Sequence, residues 1–130
     1  VLGGIFSEGI DLKEDSLIGA LIVGTGLPQV CTEREIIRGY FEENGENGFD
    51  YAYRYPGMNK VLQAAGRVIR TEEDRGIVLL LDERFAGYQY RRMFLTPGYR
   101  RLFPREWEQF EVVRGESIGS RVEKFWNDWL

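Results

Sequence analysis

A chain of 130 residues is long enough for about one domain, and 43% apolar with 14% aromatic side chains provide for a packed core. It has no histidine and a single cysteine, Cys31, so Ser-His-Asp and Cys-His catalysis, an internal disulfide, and a four-cysteine zinc or iron-sulfur site held by this segment alone are excluded. The net charge of -4 is unevenly spread: residues 1–65 carry five basic and ten acidic side chains and residues 66–130 twelve and eleven, so any polyanion site must be local.

The chain opens with Val1-Leu2-Gly3-Gly4-Ile5-Phe6, already a strand-like run without an initiator Met, and reads as an excised piece. Ser7-Glu8-Gly9-Ile10-Asp11-Leu12 follows directly. Ligands in open α/β sheets gather at the carboxyl ends of strands, which makes this loop a candidate. Amides around Gly9 can meet an anion, Ser7 can donate to a phosphate oxygen and Asp11 can accept from a ribose hydroxyl; an acidic turn without a ligand is the alternative.

A second buried strand is predicted over 17–23 and a third over 76–82. Gly24-Thr25-Gly26 lacks the third glycine of a dinucleotide loop, with Gln29 in its place. Between the strands lie two helical patterns. The first starts after a Thr32 cap, with Glu33 and Glu35 in its opening turn, and ends near Asn44 in a glycine-rich turn. The second runs from about Phe49 to about Arg70 and is broken at Pro56-Gly57. Strands alternating with helices give an α/β layer fold with a parallel sheet.

Within the second pattern, helical spacing puts Gln63, Gly66, Arg67 and Arg70 on one face and Val61, Leu62, Ala65, Val68 and Ile69 towards the other. A glycine inside a helix costs about 1 kcal/mol relative to alanine, which points to something approaching the backbone at Gly66. The two guanidiniums flanking that gap stay charged and match phosphate oxygens with a planar fork of donors. A plain solvated helix face is the competing explanation.

The last third holds a near-repeat, Tyr90-Arg91-Arg92-Met93-Phe94 and Tyr99-Arg100-Arg101-Leu102-Phe103, too short for a solenoid. Its aromatics either pack the chain terminus onto the sheet while the arginines meet carboxylates, which is favoured, or form a stacking surface for single-stranded DNA. A final amphipathic helix, roughly Ser117 to Trp129, packs Ile118, Val122, Phe125 and Trp129 onto the domain. No apolar run approaches the roughly 20 residues of a membrane span and nothing at the start reads as a signal peptide, so a soluble, cytoplasmic protein is expected, with no membrane partner.

Together, the Ser-x-Gly-x-Asp loop and the Gln-x-x-Gly-Arg-x-x-Arg segment resemble motifs V and VI of superfamily 2 helicases. The text around them, Phe49-Asp50-Tyr51-Ala52-Tyr53, Met58 to Arg70 and Asp74-Arg75-Gly76, is similar to the DinG/XPD-type branch over residues 1 to about 108. The resemblance implies a partial RecA-like parallel sheet of the P-loop NTPase type with flanking helices. Residues 1–108 would be the later half of a second motor domain, and 109–130 a mostly helical C-terminal extension packed on it.

It further implies an ATP-dependent DNA helicase of 5′ to 3′ polarity, with ATP held in the cleft between two motor domains. Arg67 and Arg70 would be the catalytic arginine fingers. Glu8, Gly9, Asp11, Gln63 and Gly66 would bind nucleotide, and Ser7 would contact DNA. Partners would be single-stranded DNA and the first motor domain of the same protein. The chain has no G-x-x-x-x-G-K-[ST] loop and no acidic motif II, so the ligands of Mg²⁺ are expected in an upstream domain, and no iron-sulfur cluster is encoded here. The alternative is a non-hydrolysing nucleic-acid-binding or interaction module built on the same fold.

Overall fold

The computed structural model describes residues 17–86, 99–107 and 110–129. The strand expected at 1–6, the loop bearing Ser7, Glu8, Gly9 and Asp11, and the first Tyr-Arg-Arg copy lie outside the described residues. Strand β1 (Gly19–Val23) and strand β2 (Ile77–Leu81) pair in parallel, with Gly19 opposite Ile77 and Val23 opposite Leu81. These are the second and third runs of the sequence reading, each a little shorter than expected. The connection between them crosses over through helices, as parallel strands require. The result is part of a RecA-like α/β layer.

Helix α1 (Thr32–Glu43) follows β1 and keeps Glu33 and Glu35 in its first turn, where the positive end of the helix dipole favours them. The cap falls one residue earlier than expected. Cys31 holds the extended N-cap backbone without a side-chain cap bond, and Thr32 is already helical. Asn44 ends the helix, and Gly45 takes a φ of 80°, a left-handed conformation that a side chain would resist. No residue of α1 is buried; it meets the next element through Phe41, stacked on Tyr51 with ring centroids 3.9 Å apart, through Tyr53, whose hydroxyl donates to Glu35, and through Arg34, which donates to the Ala52 carbonyl at 2.7 Å.

The second helical pattern is continuous where the sequence predicts a break. A π-helical segment (Asp50–Arg54) passes directly into helix α2 (Tyr55–Ala65), and Tyr55 N–H bonds to the Asp50 carbonyl at the junction. Pro56 falls in the first turn of α2, where its fixed φ suits the helical backbone. Gly57 needs its small size for another reason. A Cβ there would stand 2.8 Å from the Thr25 carbonyl oxygen, so the backbones of α2 and of the loop after β1 are in direct contact.

The core forms where α2 lies on one face of the strands. Val61 is fully buried, and Met58 and Ala65 pack with Ile22 of β1 and with Phe85 and Tyr99. Phe85 belongs to the short helix α3 (Glu83–Ala86), and Tyr99 to a 3₁₀ turn (Tyr99–Leu102). Leu102, Phe103 and Trp107 extend the cluster, so the second Tyr-Arg-Arg copy packs the chain back onto the sheet as favoured from sequence. Helix α4 (Ile118–Trp129) closes the described chain; with β2 and residues 110–113 it bounds an apolar cleft of about 740 Å³. Trp129 is not part of the core, being 53% exposed. No helix among the described residues is long and apolar enough to cross a membrane.

Candidate functional site

Helix α2 stops at Ala65, five residues before the predicted end. Gly66 is its C-cap, with φ -64° and ψ -11°, and so is not inside a helix. The next two amides tighten into three-residue reach, Arg67 N–H to the Ala64 carbonyl at 3.3 Å and Val68 N–H to Ala65 at 3.0 Å, the usual narrowing of a last turn. Gln63 and Gly66 are exposed and Arg67 is half-buried, while Val61, Ala65 and Val68 on the opposite side are buried. The two-faced pattern therefore survives through Val68.

Arg70 does not share that helical face, because the chain has left the helix. Its place is set instead by Asp74, whose Oδ2 accepts the backbone N–H groups of both Arg70 and Thr71 at 2.8 Å each. Those two bonds hold the Asp74 carboxyl below the ordinary aspartate value, the Arg70 amide contributing most. Ile69, expected on the packed side, is 46% exposed for the same reason.

The turn is fastened to the amino-terminal end of the sheet. Val68 is buried against Gly76, where a Cβ would collide with Val68 Cγ1 and stand 2.9 Å from the Ile18 carbonyl oxygen. The next residue, Ile77, donates its N–H to that same carbonyl at 3.0 Å. Arg75 lies over the indole of Trp129, 4.4 Å from the ring centroid, which ties α4 to the turn. The arginine turn thus stands at the opposite end of the strands from the Thr25 loop, rather than at the carboxyl ends where α/β ligands are usually sought.

Of the predicted nucleotide-site residues, the structure gathers Gln63, Gly66 and Arg67 in one turn and sets Arg70 just beyond it. An exposed and a half-buried arginine beside a residue without a side chain are the chemistry that meets a polyanion. The cleft between β2 and α4 is elsewhere; its lining is mainly apolar, with Ile77, Leu79, Val113, Val122 and Phe125, and includes Arg114 and Arg121 beside Asp82, Glu83 and Glu111.

Sequence reasoning missed Asp74 and a buried ion cluster at the start of the arginine-bearing element. Asp50 is 2% exposed, its Oδ1 2.5 Å from Arg54 Nη1 and its Oδ2 2.5 Å from Arg101 Nη2. The first pair was legible as an i,i+4 acid and base on a helix; the second spans 51 positions and leaves no local trace. Asp82 and Arg84 form a further two-bonded pair just after β2, and Arg84 holds the Asp82 carboxyl below its usual range.

A parallel α/β layer whose connecting helix ends in an arginine-bearing turn, fixed at the amino end of the next strand, fits a partial RecA-like α/β fold. Residues 1–98 match the family model described as helicase C-terminal domain. The chain belongs to that family, on its DinG/XPD-type branch.

Among its relatives, the ATP-dependent DNA helicase DinG of Photobacterium profundum is 36% identical over 103 residues, 76% of this chain and 15% of that protein. Regulator of telomere elongation helicase 1 of Homo sapiens is 31% identical over 132 residues, 94% of this chain and 11% of that protein. The helicase subunit XPD of the general transcription and DNA repair factor of Dictyostelium discoideum is 33% identical over 91 residues, 65% of this chain and 11% of that protein. The chain thus spans less than a fifth of the length of these curated relatives.

Proposed function

We propose that this chain is the later part of the second motor domain of an ATP-dependent DNA helicase, residues 1–108 forming the motor part and 109–130 an extension packed on it. Arg67 and Arg70 act as fingers on the triphosphate of ATP bound against the first motor domain of the same protein. Gln63 and Gly66 lie against the nucleotide, with Glu8, Gly9 and Asp11 from the loop after the first predicted strand, and Ser7 meets single-stranded DNA. The residues that hold Mg²⁺ belong to the first motor domain, and translocation runs 5′ to 3′ on single-stranded DNA.

One observation carries the reading. Arg67 and Arg70 occupy a turn that is anchored by Val68 and Asp74, yet both remain at least partly accessible. That is the arrangement a finger needs: a fixed root and a cation that can reach charge developing on the far side of a cleft.

Such fingers raise hydrolysis by about 10³- to 10⁵-fold. In the intact protein, Arg70→Ala is expected to bind ATP with near-parental affinity and to lose DNA-stimulated hydrolysis on that scale. Near-normal turnover would refute the finger assignment. Duplexes with a single-stranded tail on one end or the other, unwound in parallel, decide the polarity.

A further inference from the structure

We propose that Asp50 and Arg101 form a positioning latch, docking residues 99–107 on the root of the arginine-bearing element and so fixing where Arg67 and Arg70 stand during turnover. The proposal rests on the nucleotide-site reading above.

Both oxygens of the buried Asp50 carboxylate are taken by cations from different parts of the chain, Arg54 within the π-helical segment and Arg101 from the turn after the sheet. The Asp50 amide is held as well, by Asn47 Oδ1 at 3.2 Å. Arg54 is buried between two rings, with Phe49 and Tyr99 each 5.4 Å from its guanidinium carbon. Its Nε has no hydrogen-bond partner among the described residues, so those aromatic faces are its compensation on that side. Tyr99 and Arg101 come from one short turn, which therefore contacts the Asp50–Arg54 pair at two points.

Arg101 itself is 40% exposed and has no need of burial. An accessible cation that gives up water and rotamer freedom to reach an inaccessible carboxylate contributes little net stability and specifies one docking register. The register matters because latch and turn lie on one continuous helical run. The π-helical segment runs into α2 without a break, α2 rests its Gly57 backbone on the Thr25–Gly26 loop, and directly past its last residue come Gly66 and Arg67. The C-terminal third also meets the other end of this element, through Trp129 under Arg75. The second Tyr-Arg-Arg copy thereby acquires a role its packing alone does not explain.

The test uses the intact helicase and Arg101→Met, which keeps the bulk of an accessible side chain and removes the charge. DNA-stimulated ATP hydrolysis should lose kcat by about 10- to 100-fold, the cost of a small misplacement far from the chemistry. KM for ATP should stay within about twofold, since only a transition-state contact is lost. Arg101→Lys, restoring the charge at similar reach, should recover most of that kcat, and Arg105→Met, an exposed neighbour, should turn over like the parent.

Parental kcat in Arg101→Met overturns the latch. So does a loss of kcat that accompanies a falling thermal midpoint and that Lys fails to rescue. Failure of the underlying reading shows elsewhere: if Arg70→Ala hydrolyses ATP normally the finger assignment falls, whereas an inactive Arg70→Ala beside a parental Arg101→Met sinks the latch alone.

Discussion

The two ends of the element from Asp50 to Arg70 are built on opposite principles. At the root, Asp50, Ala52, Tyr53 and Arg54 are all buried, and Gly57 touches backbone. At the tip, Gln63, Gly66 and Arg70 are exposed, and Val68 is the buried anchor. Burial at one end fixes the element's place, and at the other the outward side of the turn has no duty to the core. A side chain that must meet charge across a cleft cannot also be packed. Substitutions at the root should therefore act first on stability, and those at the tip first on chemistry.

The largest stability effect should come from Gly57→Ala. The added Cβ would sit 2.8 Å from the Thr25 carbonyl oxygen and 3.1 Å from the Gly26 carbonyl carbon, backbone atoms that cannot rotate aside. Overpacking costs about 1–3 kcal/mol, and alanine returns about 1 kcal/mol of helix propensity, leaving a net loss of up to about 2 kcal/mol. Denaturant unfolding should show a lower midpoint at constant slope. A variant as stable as the parent would mean that the root is not tightly seated, and the contrast between the ends would dissolve.

What was legible in the sequence follows the same division. The strands around Ile22 and Leu79 were legible as short apolar runs, helix α1 from the acids after its cap and the glycine-rich turn that ends it, and the C-terminal helix from its amphipathic spacing, all of them local signals. The buried face through Val61, Ala65 and Val68 was legible for the same reason. The end of α2 was not. Apolar spacing continued to Ile69, but Gly66 caps the helix and the Asp74 carboxylate draws the Arg70 and Thr71 amides out of it. Arg101 on Asp50 was out of reach, since a contact across 51 positions depends on the fold itself. Pro56-Gly57 misled in a different way: breaker residues were read as a break, whereas one sits harmlessly in a first turn and the other answers a close backbone approach.

At the tip the expectation reverses. Gly66 has helical angles that alanine adopts readily, and the nearest atom to an added Cβ is the Leu62 carbonyl oxygen at 3.2 Å, one turn back on its own helix. Gly66→Ala should leave stability unchanged or raise it by up to about 1 kcal/mol, chiefly by restricting the unfolded chain. If a phosphate approaches the backbone there, DNA-stimulated hydrolysis should nevertheless fall about tenfold as the added methyl displaces it. Stability and activity would then move in opposite directions. Unchanged hydrolysis would reduce Gly66 to a helix terminator and take the tip's functional half from the comparison.

The smallest effect belongs to Asp74→Asn, which sharpens the contrast through pH. The Arg70 and Thr71 amides hold the Asp74 carboxyl low in the folded chain, and the unfolded chain returns it to about 3.9. A depressed folded value means that the carboxylate's contribution is complete above the unfolded value and disappears as pH falls through the folded one. The window lies below about pH 4. Asparagine keeps an acceptor oxygen but no charge, so the thermal midpoint of the variant should lie slightly below the parent's at neutral pH and converge with it on acidification. Parallel curves through that window would show that Asp74 shapes the turn by geometry alone, with its charge idle, and would leave Arg70 positioned by backbone turn preference rather than by an ionised acceptor.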